Sequence, residues 1–423
     1  MTSDGEIHDA LKGVPPGLPP LALSELPSRG WRALVDLAPP FALLKRGALD
    51  HNRDFIRRLL KQTGAWYAPH GKTTMSPQLF REQLDDGAWA ITLATVSQVA
   101  AARRFGVSRI LLANQVVDAH ALRFLARERE RDPGFELLSF VDSEDGVRLW
   151  QEALRGTSRP LPVLIEVGFE GGRAGCRSVP AALAVAQAVR AASGLELRGV
   201  AGFEGLLHAD TDAAQDAAVR RYVERIAETA RALAGEGAFA PGEVLLSAGG
   251  SAFFDLAATG LARAELGRPF RMLLRSGCLL IHDDGLYGHA LDRLFERSPA
   301  LAGLRPGPRP ALELWADVLS RPEPTRVVAG LGKRDVAHDA GLPAAKLWFR
   351  DTQHVVPEPL PVLGSAALND QHALLDVPAD SPLRPGDKLG FGISHPCLTF
   401  DRWKLLFVVD DAYRVIGGVQ TCF

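Results

Sequence analysis

Lys72 is the residue of this sequence whose position most strongly suggests chemistry. It stands in segment 67–74, YAPHGKTT, where a short apolar run ends in a polar turn that contains glycine. A lysine at the C-terminal end of an early strand is an unusual place for a solvated charge. It suits an amine that forms a Schiff base with a carbonyl cofactor, so Lys72 is the first catalytic candidate.

A second candidate is the loop 247–251, which reads SAGGS and follows the seventh apolar run of the chain. The adjacent Gly249 and Gly250 let backbone N–H groups turn toward an anion, and Ser247 and Ser251 add hydroxyl donors. In a barrel of alternating strands and helices, the loops after the last two strands commonly bind phosphate. An ordinary Gly-Gly turn is the alternative, but the position in the chain favours a phosphate site.

Three further strand ends carry residues suited to cofactor or substrate binding. Arg173, in the glycine-rich stretch 171–175, can donate to a cofactor phenolate or a substrate carboxylate, or it is a surface arginine. Glu204 and His208 follow the sixth run and can transfer protons or orient a cofactor, although a histidine near a strand end is more often structural. Arg275 ends the eighth run and is a further cofactor-binding candidate.

His395 and Cys397, separated by Pro396, form a candidate metal pair. On a strand, residues i and i+2 point to the same side, so both side chains would reach one ion. Imidazole with thiolate suits zinc, and two protein ligands leave positions for water, a carboxylate or a substrate hydroxyl in an open catalytic site. A buried cysteine beside a surface histidine is the alternative.

The candidates at the strand ends require a barrel to bring them together. Short apolar runs alternate with stretches of helical composition such as 76–87, 181–193 and 213–235. Eight strands separated by helices over roughly 220 residues predict a (β/α)8 barrel. A doubly wound open sheet is the alternative, and the sequence lacks the early G-x-G-x-x-G motif often found there. The runs are 66–68, 90–94, 109–113, 136–141, 162–167, 197–202, 243–247 and 271–275.

The sequence changes character near residue 300. Proline and glycine cluster at 304–310, and strand-like segments at 311–316, 325–329 and 403–409 replace long helices. We therefore expect three parts, namely an N-terminal arm that packs on the β-domain, a cofactor-binding barrel, and a mainly β C-terminal domain that carries the metal pair. The expected ranges are 1–45, 46–300 and 301–423.

Composition excludes several classes of function. The 423 residues are 47% hydrophobic, and the formal net charge of -2, from 48 basic and 50 acidic residues, gives no reason to expect a nucleic-acid partner or a membrane surface. No apolar run approaches the ~18 residues of a membrane span. The acidic start lacks the pattern of a signal peptide. Four scattered cysteines without a CxxC pair favour a reduced, cytoplasmic protein.

Together these segments resemble the D-threonine aldolase / D-serine dehydratase family of fold-type III pyridoxal 5'-phosphate (PLP) enzymes. The resemblance covers roughly residues 45–423 and rests on PHGKT around Lys72, GGRAG around Arg173, SAGGS, Arg275-Ser276-Gly277 and the C-terminal HPC, in that order. It implies an alanine-racemase-like barrel followed by a β-domain, and a homodimer with the active site near the subunit interface.

The resemblance also assigns roles to positions. Lys72 would be the PLP lysine, and Arg173 would lie near the pyridoxal ring. His372, in NDQH, resembles an EEHG segment of the family with altered acids and joins Lys72 and His208 as a catalytic candidate. The phosphate would be held by Gly249, Gly250 and Ser251, and the divalent metal, zinc before manganese or magnesium, by His395 and Cys397.

Two segments depart from the family pattern. Cys278 and Leu279 follow Gly277, where the family often has a tyrosine. Phe203 and His208 occupy a stretch in which the family usually carries tyrosines. The contacts around cofactor and substrate are therefore expected to differ, which leaves the substrate open.

The activity implied by the resemblance is that of a dehydratase, which converts a small β-hydroxy D-amino acid such as D-serine or D-threonine to a 2-oxo acid and ammonia. The alternative is a D-threonine-type aldolase that yields glycine and an aldehyde. In family terms a His-x-Cys metal pair favours the dehydratase and His-x-Asp the aldolase, so Cys397 decides the preference. An amino-acid racemase has no need for the metal pair, and small PLP-binding proteins that act in cofactor homeostasis lack the β-domain.

Overall fold

The computed structural model describes residues 5–423. Most of the acidic start that argued against a signal peptide, residues 1–4, lies outside the described residues. The N-terminal segment contains β1 (Glu6–Ile7), β2 (Leu21–Ala22), a 3₁₀ helix (Leu23–Arg29), α1 (Ala33–Asp36) and β3 (Phe41–Lys45).

A closed parallel sheet follows. Within residues 5–423, eight strands pair in the order β4-β11-β10-β9-β8-β7-β6-β5. The N–H of Trp89 donates to Tyr67 O at 2.7 Å and that of Thr92 to Pro69 O at 2.9 Å, so the first two strands also meet and close the sheet. The strands are β4 (Trp66–Tyr67), β5 (Ile91–Leu93), β6 (Arg109–Leu112), β7 (Glu136–Val141), β8 (Leu161–Val167), β9 (Leu195–Gly202), β10 (Val244–Ala248) and β11 (Phe270–Leu274). Each overlaps its predicted run, which confirms the (β/α)8 barrel.

Helices surround the barrel and begin at residues that suit a helix N-terminus. The side chains of Thr95, Asp118, Ser143, Ser178 and Thr211 each accept a backbone N–H from the first turn of the helix that follows. The three predicted helical stretches correspond to α3, α7 and α8. The helices are α2 (Arg46–Thr63), α3 (Pro77–Asp85), α4 (Val96–Arg104), α5 (Ala119–Arg131), α6 (Glu144–Ala153), α7 (Val179–Ala191), α8 (Asp212–Gly235) and α9 (Phe254–Leu261).

The barrel interior is a packed core. Apolar side chains from the strands and the residues beside them fill it, among them Leu111, Phe140, Leu164 and Leu273. Because this layer fills the centre of the barrel, the side chains that face a ligand are those at the C-terminal strand ends.

The C-terminal domain is a mixed, mainly antiparallel sheet of nine strands within the described residues, in the order β13-β16-β15-β14-β17-β12-β3-β18-β19. β3 pairs antiparallel with β12 and parallel with β18, so the segment before the barrel is part of this sheet. The domain boundaries at 45 and 300 stay predictions. The strands are β12 (Leu312–Glu323), β13 (Arg326–Ala329), β14 (Ala344–Phe349), β15 (Glu358–Leu368), β16 (Ala373–Asp376), β17 (Lys388–Gly392), β18 (Leu405–Val409) and β19 (Val415–Gln420).

The loop after β11 joins the barrel to this sheet. Backbone N–H groups of Asp284 and Ala311 donate to Ile393 O at 3.0 Å and Ile281 O at 2.8 Å. The end of β17 is therefore held close to the C-terminal end of the barrel. Short helices complete the region, namely α10 (Leu286–Asp292), α11 (Leu294–Arg297), a 3₁₀ helix (Pro299–Leu304) and α12 (Pro396–Phe400). Among residues 5–423, none of the helices has the length and apolar content needed to cross a membrane.

Candidate active site

A cavity opens at the C-terminal ends of the barrel strands, and we call it the barrel cavity. Lys72 lies at its wall, in a 3₁₀ turn (Gly71–Thr73) after β4. Arg173, Gly250 and Arg275 line the same space, so four predicted site residues from four strand ends converge. The remaining lining residues are His70, Ala113, Phe140, Glu166 and Phe203.

Arg275 is buried beside the cavity and links three strand ends. Its Nη1 donates to Ser247 Oγ at 2.5 Å and its Nη2 to Gly202 O at 2.7 Å. Burial lowers the pKa of Arg275, and the carboxyl groups of Glu204 and Glu166 oppose this effect. Ser247 is itself fully buried, and its hydroxyl, predicted to bind phosphate, holds Arg275 in place.

Arg173 is exposed in the loop after β8, which Arg177 holds in shape. Arg177 donates to Arg173 O at 2.7 Å and to Ala174 O at 2.8 Å. The guanidinium carbon of Arg173 lies 5.2 Å from the centre of the Phe203 ring, a cation–π distance. Arg173 is thereby positioned to meet a carboxylate or a phenolate in the cavity.

The glycine loop after β10 holds a carboxylate. The N–H of Gly250 donates to Glu204 Oε1 at 2.5 Å and that of Gly249 to Glu204 Oε2 at 3.2 Å. Gly249 has a φ of +91°, a conformation that favours glycine and turns its N–H inward. Burial raises the pKa of Glu204, while the backbone N–H bonds oppose that rise. Since these N–H groups bind both oxygens of a carboxyl group, they also suit a phosphate group, and Glu204 competes for them.

Ser251 and Gly277 shape the neighbouring loop. The N–H of Cys278 donates to Ser251 Oγ at 3.0 Å. A Cβ at Gly277 would lie 2.6 Å from Thr73 Oγ1 and 2.7 Å from His70 O, so only glycine lets the loop after β11 approach the Lys72 turn this closely.

Two titratable residues outside the predicted set line the cavity. His70 Nδ1 has no hydrogen-bond partner among the described residues. Burial, together with the charges of Lys72 and Arg275, lowers the pKa of His70 well below its usual range. Glu166 accepts from Gln115 Nε2 at 2.8 Å, and burial raises its pKa. Glu166 was detectable as a carboxylate inside an otherwise apolar run.

Two predicted catalytic residues lie elsewhere in the described chain. His208 is exposed, because the turn closed by Leu207 N and Glu204 O at 3.0 Å leads the chain away from the strand end. His372 is exposed in the turn between β15 and β16. Neither is among the residues that line the barrel cavity of residues 5–423. The structure therefore does not bring them together with Lys72, and their catalytic roles stay predictions.

His395 and Cys397 do not lie on a strand, as the sequence led us to expect. β17 ends at Gly392, and α12 begins at Pro396 with His395 at its N-cap. The fixed φ of proline suits the first turn of a helix, a signal that the strand prediction overlooked. The two side chains are nevertheless close enough that Cys397 raises the pKa of His395.

These two residues belong to what we call the thiol cluster, which comprises Thr73, Cys278, Asp339, His395 and Cys397. The sulfur of Cys397 lies 3.3 Å from Thr73 Oγ1 and 3.6 Å from the sulfur of Cys278. His395 Nδ1 lies 2.7 Å from Asp339 Oδ2. The cluster thus joins the Lys72 turn, the loop after β11 and two segments of the β-domain. Neither Cys278 nor Asp339 was predicted, and no spacing in the sequence connects them.

The charges of the thiol cluster favour a thiolate beside an imidazolium. Burial alone would lower the pKa of His395, but Cys397 and Asp339 outweigh it and raise that pKa to about 9. The hydrogen bond from Cys278 and the contact with His395 lower the pKa of Cys397 well below its usual range. Within residues 5–423, no group of three or more His, Cys, Asp or Glu side chains is arranged to hold a metal ion. A metal bound by His395 and Cys397 would therefore need its remaining ligands from water or substrate.

Comparison with known proteins identifies the chain at the level of family. Residues 44–269 match the family described as the alanine racemase N-terminal domain. The chain belongs to the alanine racemase N-terminal domain family. Residues 311–409 of this family member match a second description, the Putative serine dehydratase domain.

Proteins similar to this family member include aldolases and a dehydratase. D-threonine aldolase from Arthrobacter sp. is 26% identical over 414 residues, which cover 96% of the chain and 95% of the relative. The structure is similar to that of D-threonine aldolase from Filomicrobium marinum, with a TM-score of 0.72, 22% identity, and coverage of 92% and 96% of the two chains. It is also similar to D-threo-3-hydroxyaspartate dehydratase from Delftia sp. HT23, with a TM-score of 0.71, 19% identity, and coverage of 92% and 98%. These matches confirm the family and fold expected from the sequence and the prediction of a lyase-type enzyme.

Proposed function

We propose that this protein is a PLP- and metal-dependent lyase that converts a small β-hydroxy D-amino acid, such as D-serine or D-threonine, to a 2-oxo acid and ammonia. One contact carries the proposal. Thr73, the residue after Lys72, has its Oγ1 3.3 Å from the sulfur of Cys397. The turn that carries Lys72 is therefore in contact with the imidazole–thiolate pair, which supports a reaction that uses both.

The barrel cavity fits PLP. Lys72 supplies the amine, and the N–H groups of Gly249 and Gly250 already bind a carboxylate in the manner expected for a phosphate. When bound, PLP supplies an electron sink for negative charge that develops at the substrate Cα. Lys72 Nζ would take the proton from Cα, and Arg173 would orient the substrate carboxylate.

The imidazole and thiolate of the thiol cluster are donor types that suit a divalent metal, and we expect zinc before manganese or magnesium. Imidazole and thiolate are donors that zinc prefers, and Asp339 binds His395 Nδ1, which orients the ring toward Cys397. When bound, the metal supplies a Lewis acid for the β-hydroxyl of the substrate. With two protein donors, positions remain for that hydroxyl and for water.

A D-threonine-type aldolase is the second candidate. It is favoured by the 26% identity to D-threonine aldolase across 96% of the chain. Both reactions need the same cofactor and a metal at the β-hydroxyl, and they differ in whether the C–O bond or the Cα–Cβ bond breaks. We place the dehydratase first because the thiolate of Cys397 stands where a carboxylate would favour the aldolase.

The cysteines and the exposed hydrophobic residues bear on the compartment and the oligomeric state of the enzyme. All four cysteines are free, which supports a reduced compartment such as the cytoplasm. We also propose a homodimer, because the hydrophobic residues Leu286, Leu342 and Leu398, on segments that surround the thiol cluster, remain exposed in the single chain.

A product assay tests the function. Purified protein loaded with PLP is incubated with D-serine, D-threonine and D-threo-3-hydroxyaspartate, with and without a chelator. Ammonia together with a 2-oxo acid supports the dehydratase, and glycine together with an aldehyde supports the aldolase instead. Activity that survives thorough chelation would rule out the metal role of His395 and Cys397.

A further inference from the structure

Cys278 and Cys397 form a close pair of sulfur atoms that the proposed reaction does not require. Their Sγ atoms are 3.6 Å apart, and both cysteines are free. They come from different domains, since Cys278 follows β11 of the barrel and Cys397 lies in the first turn of α12. The other two cysteines are placed differently. Cys176 donates to Asp142 O, and Cys422 is exposed near the C-terminus.

The two sulfurs differ in their access to solvent. Cys278 is 2% exposed, whereas Cys397 is partly exposed and precedes the exposed Leu398. We therefore expect a small oxidant from solvent to reach Cys397 before it reaches Cys278. This order, a reachable sulfur backed by a buried one, is the arrangement in which a first oxidation product is captured by a second thiol.

We propose that Cys278 and Cys397 are an oxidation site at which a hydroperoxide forms a reversible disulfide. Cys397 sulfur attacks the peroxide, so that an S–O bond forms, the O–O bond breaks, and the departing oxygen takes up the Cys397 proton and leaves as water or alcohol. Cys278 sulfur then attacks the oxidised Cys397 sulfur, so that the S–S bond forms, the S–O bond breaks, and hydroxide leaves with the Cys278 proton as water. Two thiols and one hydroperoxide thus give one disulfide, one molecule of water from the second step, and one molecule of water or alcohol from the first.

Formation of the disulfide requires the two cysteine side chains to move closer together. A disulfide needs an S–S distance of about 2.05 Å, so side-chain rotation has to shorten the present separation by roughly 1.5 Å. Thr73 Oγ1 contacts both sulfurs, at 3.3 Å and 3.9 Å, and its hydrogen bonds are the contacts that such a rotation breaks. A reducing thiol reverses the reaction by exchange.

The consequence rests on the proposed function. A Cys397 sulfur held in a disulfide cannot ligate a metal, so oxidation would release the metal and stop catalysis until the disulfide is reduced. A bound metal would in turn occupy Cys397 and slow the oxidation. The pair would therefore couple the redox state of its surroundings to the metal content of the enzyme.

The test uses the full-length protein, reduced and treated with a chelator, then exposed to hydrogen peroxide. Peptide mapping by mass spectrometry should find a 278–397 cross-link that lacks the mass of two hydrogen atoms and that dithiothreitol removes. Cys278→Ser should give no cross-link and should instead accumulate oxygen adducts on Cys397. Cys422→Ser, the matched control, should cross-link like the unmodified chain. Absence of the 278–397 cross-link in the unmodified chain would overturn the proposal.

A zinc titration of the oxidised, reduced and re-reduced protein separates this inference from the proposed function. We expect oxidation to lower zinc binding at least about 100-fold and reduction to restore it. Zinc binding without any 278–397 cross-link would contradict the proposed oxidation site and would leave the proposed function unaffected. A cross-link that leaves zinc binding unchanged would support the oxidation site and contradict the metal role of Cys397.

Discussion

The barrel cavity and the thiol cluster are both close to Lys72, but they are built in different ways. The barrel cavity is lined by residues at the ends of parallel strands, and strand pairing sets the relative positions of Lys72, Arg173 and Arg275. The thiol cluster is built from side chains of distant segments, and it depends on contacts such as Asp284 N to Ile393 O at 3.0 Å that hold the β-domain against the barrel. A change in the barrel cavity should therefore alter chemistry while leaving the fold intact, whereas the thiol cluster should also respond to changes at the joint between the domains.

The first prediction concerns a substitution that removes the amine of the barrel cavity and leaves the thiol cluster intact. Lys72→Ala should abolish the absorbance band of bound PLP and lower kcat at least about 1,000-fold, because no other described side chain in the cavity is a lysine. Zinc binding should be unchanged. Lys61→Ala, at an exposed position near the end of α2, is the control and should keep band and activity. A surviving band in Lys72→Ala would mean that another lysine holds the cofactor.

The second prediction concerns the converse substitution, which removes a metal-donor side chain of the thiol cluster. His395→Ala should lower zinc affinity at least about 100-fold while leaving the PLP absorbance band in place. His120→Ala, on the exposed face of α5, serves as the control. Equal zinc affinity in both variants, measured by competition with a chromophoric chelator, would place the metal elsewhere.

The third prediction concerns the joint between the domains, where the stability of the protein should depend on the protonation of His282. Burial lowers the pKa of His282 from its usual 6.5 to about 4, so the folded protein favours the neutral ring. As pH falls through 6.5 the unfolded chain takes up a proton at His282, whereas the folded chain takes it up only near pH 4, so stability is lost across this window. Between pH 6.5 and 5 the free energy of unfolding should fall by about 1.5 kcal/mol. His282→Asn, which tolerates the φ of +52° at this position, should remove that part of the pH dependence in urea unfolding. An unchanged pH dependence would contradict the assignment.

A smaller effect is expected where Glu204 competes with phosphate in the barrel cavity. Glu204→Gln removes the negative charge from the N–H groups of Gly249 and Gly250, so inorganic phosphate should bind the cofactor-free protein about tenfold more tightly. Calorimetric titration measures this, with Glu196→Gln, near the start of β9 at the opposite end of the barrel, as the control. Weaker binding in Glu204→Gln would show that the carboxylate orients the loop and does not compete with the ligand.

The smallest effect is expected at His208. Because this side chain is exposed and does not line the cavity, His208→Ala should change kcat and KM less than about twofold. A larger loss of kcat in steady-state assays would restore the catalytic role predicted from its position in the sequence, and it would indicate that the loop closes over the substrate.

Much of the barrel cavity could be predicted because its residues are tied to local patterns. Short apolar runs alternate with helical stretches, and the residue after each run is carried to the C-terminal end of the barrel. Lys72, Arg173, Gly250 and Arg275 were found in this way. His208 follows a strand by the same rule, yet a turn at Glu204 leads it to the surface, because a strand end determines the position of the next few residues only.

The sequence alone determined the order of strands and helices, the family, and the residues at the strand ends, since each depends on hydrophobic periodicity or a short motif. Only the tertiary structure decided that Cys278 and Asp339 stand beside His395 and Cys397, and that Glu204 occupies the N–H groups of the glycine loop. Those contacts join segments that are far apart in the chain. They arise from the docking of two domains and from side-chain burial, neither of which leaves a local pattern in the sequence.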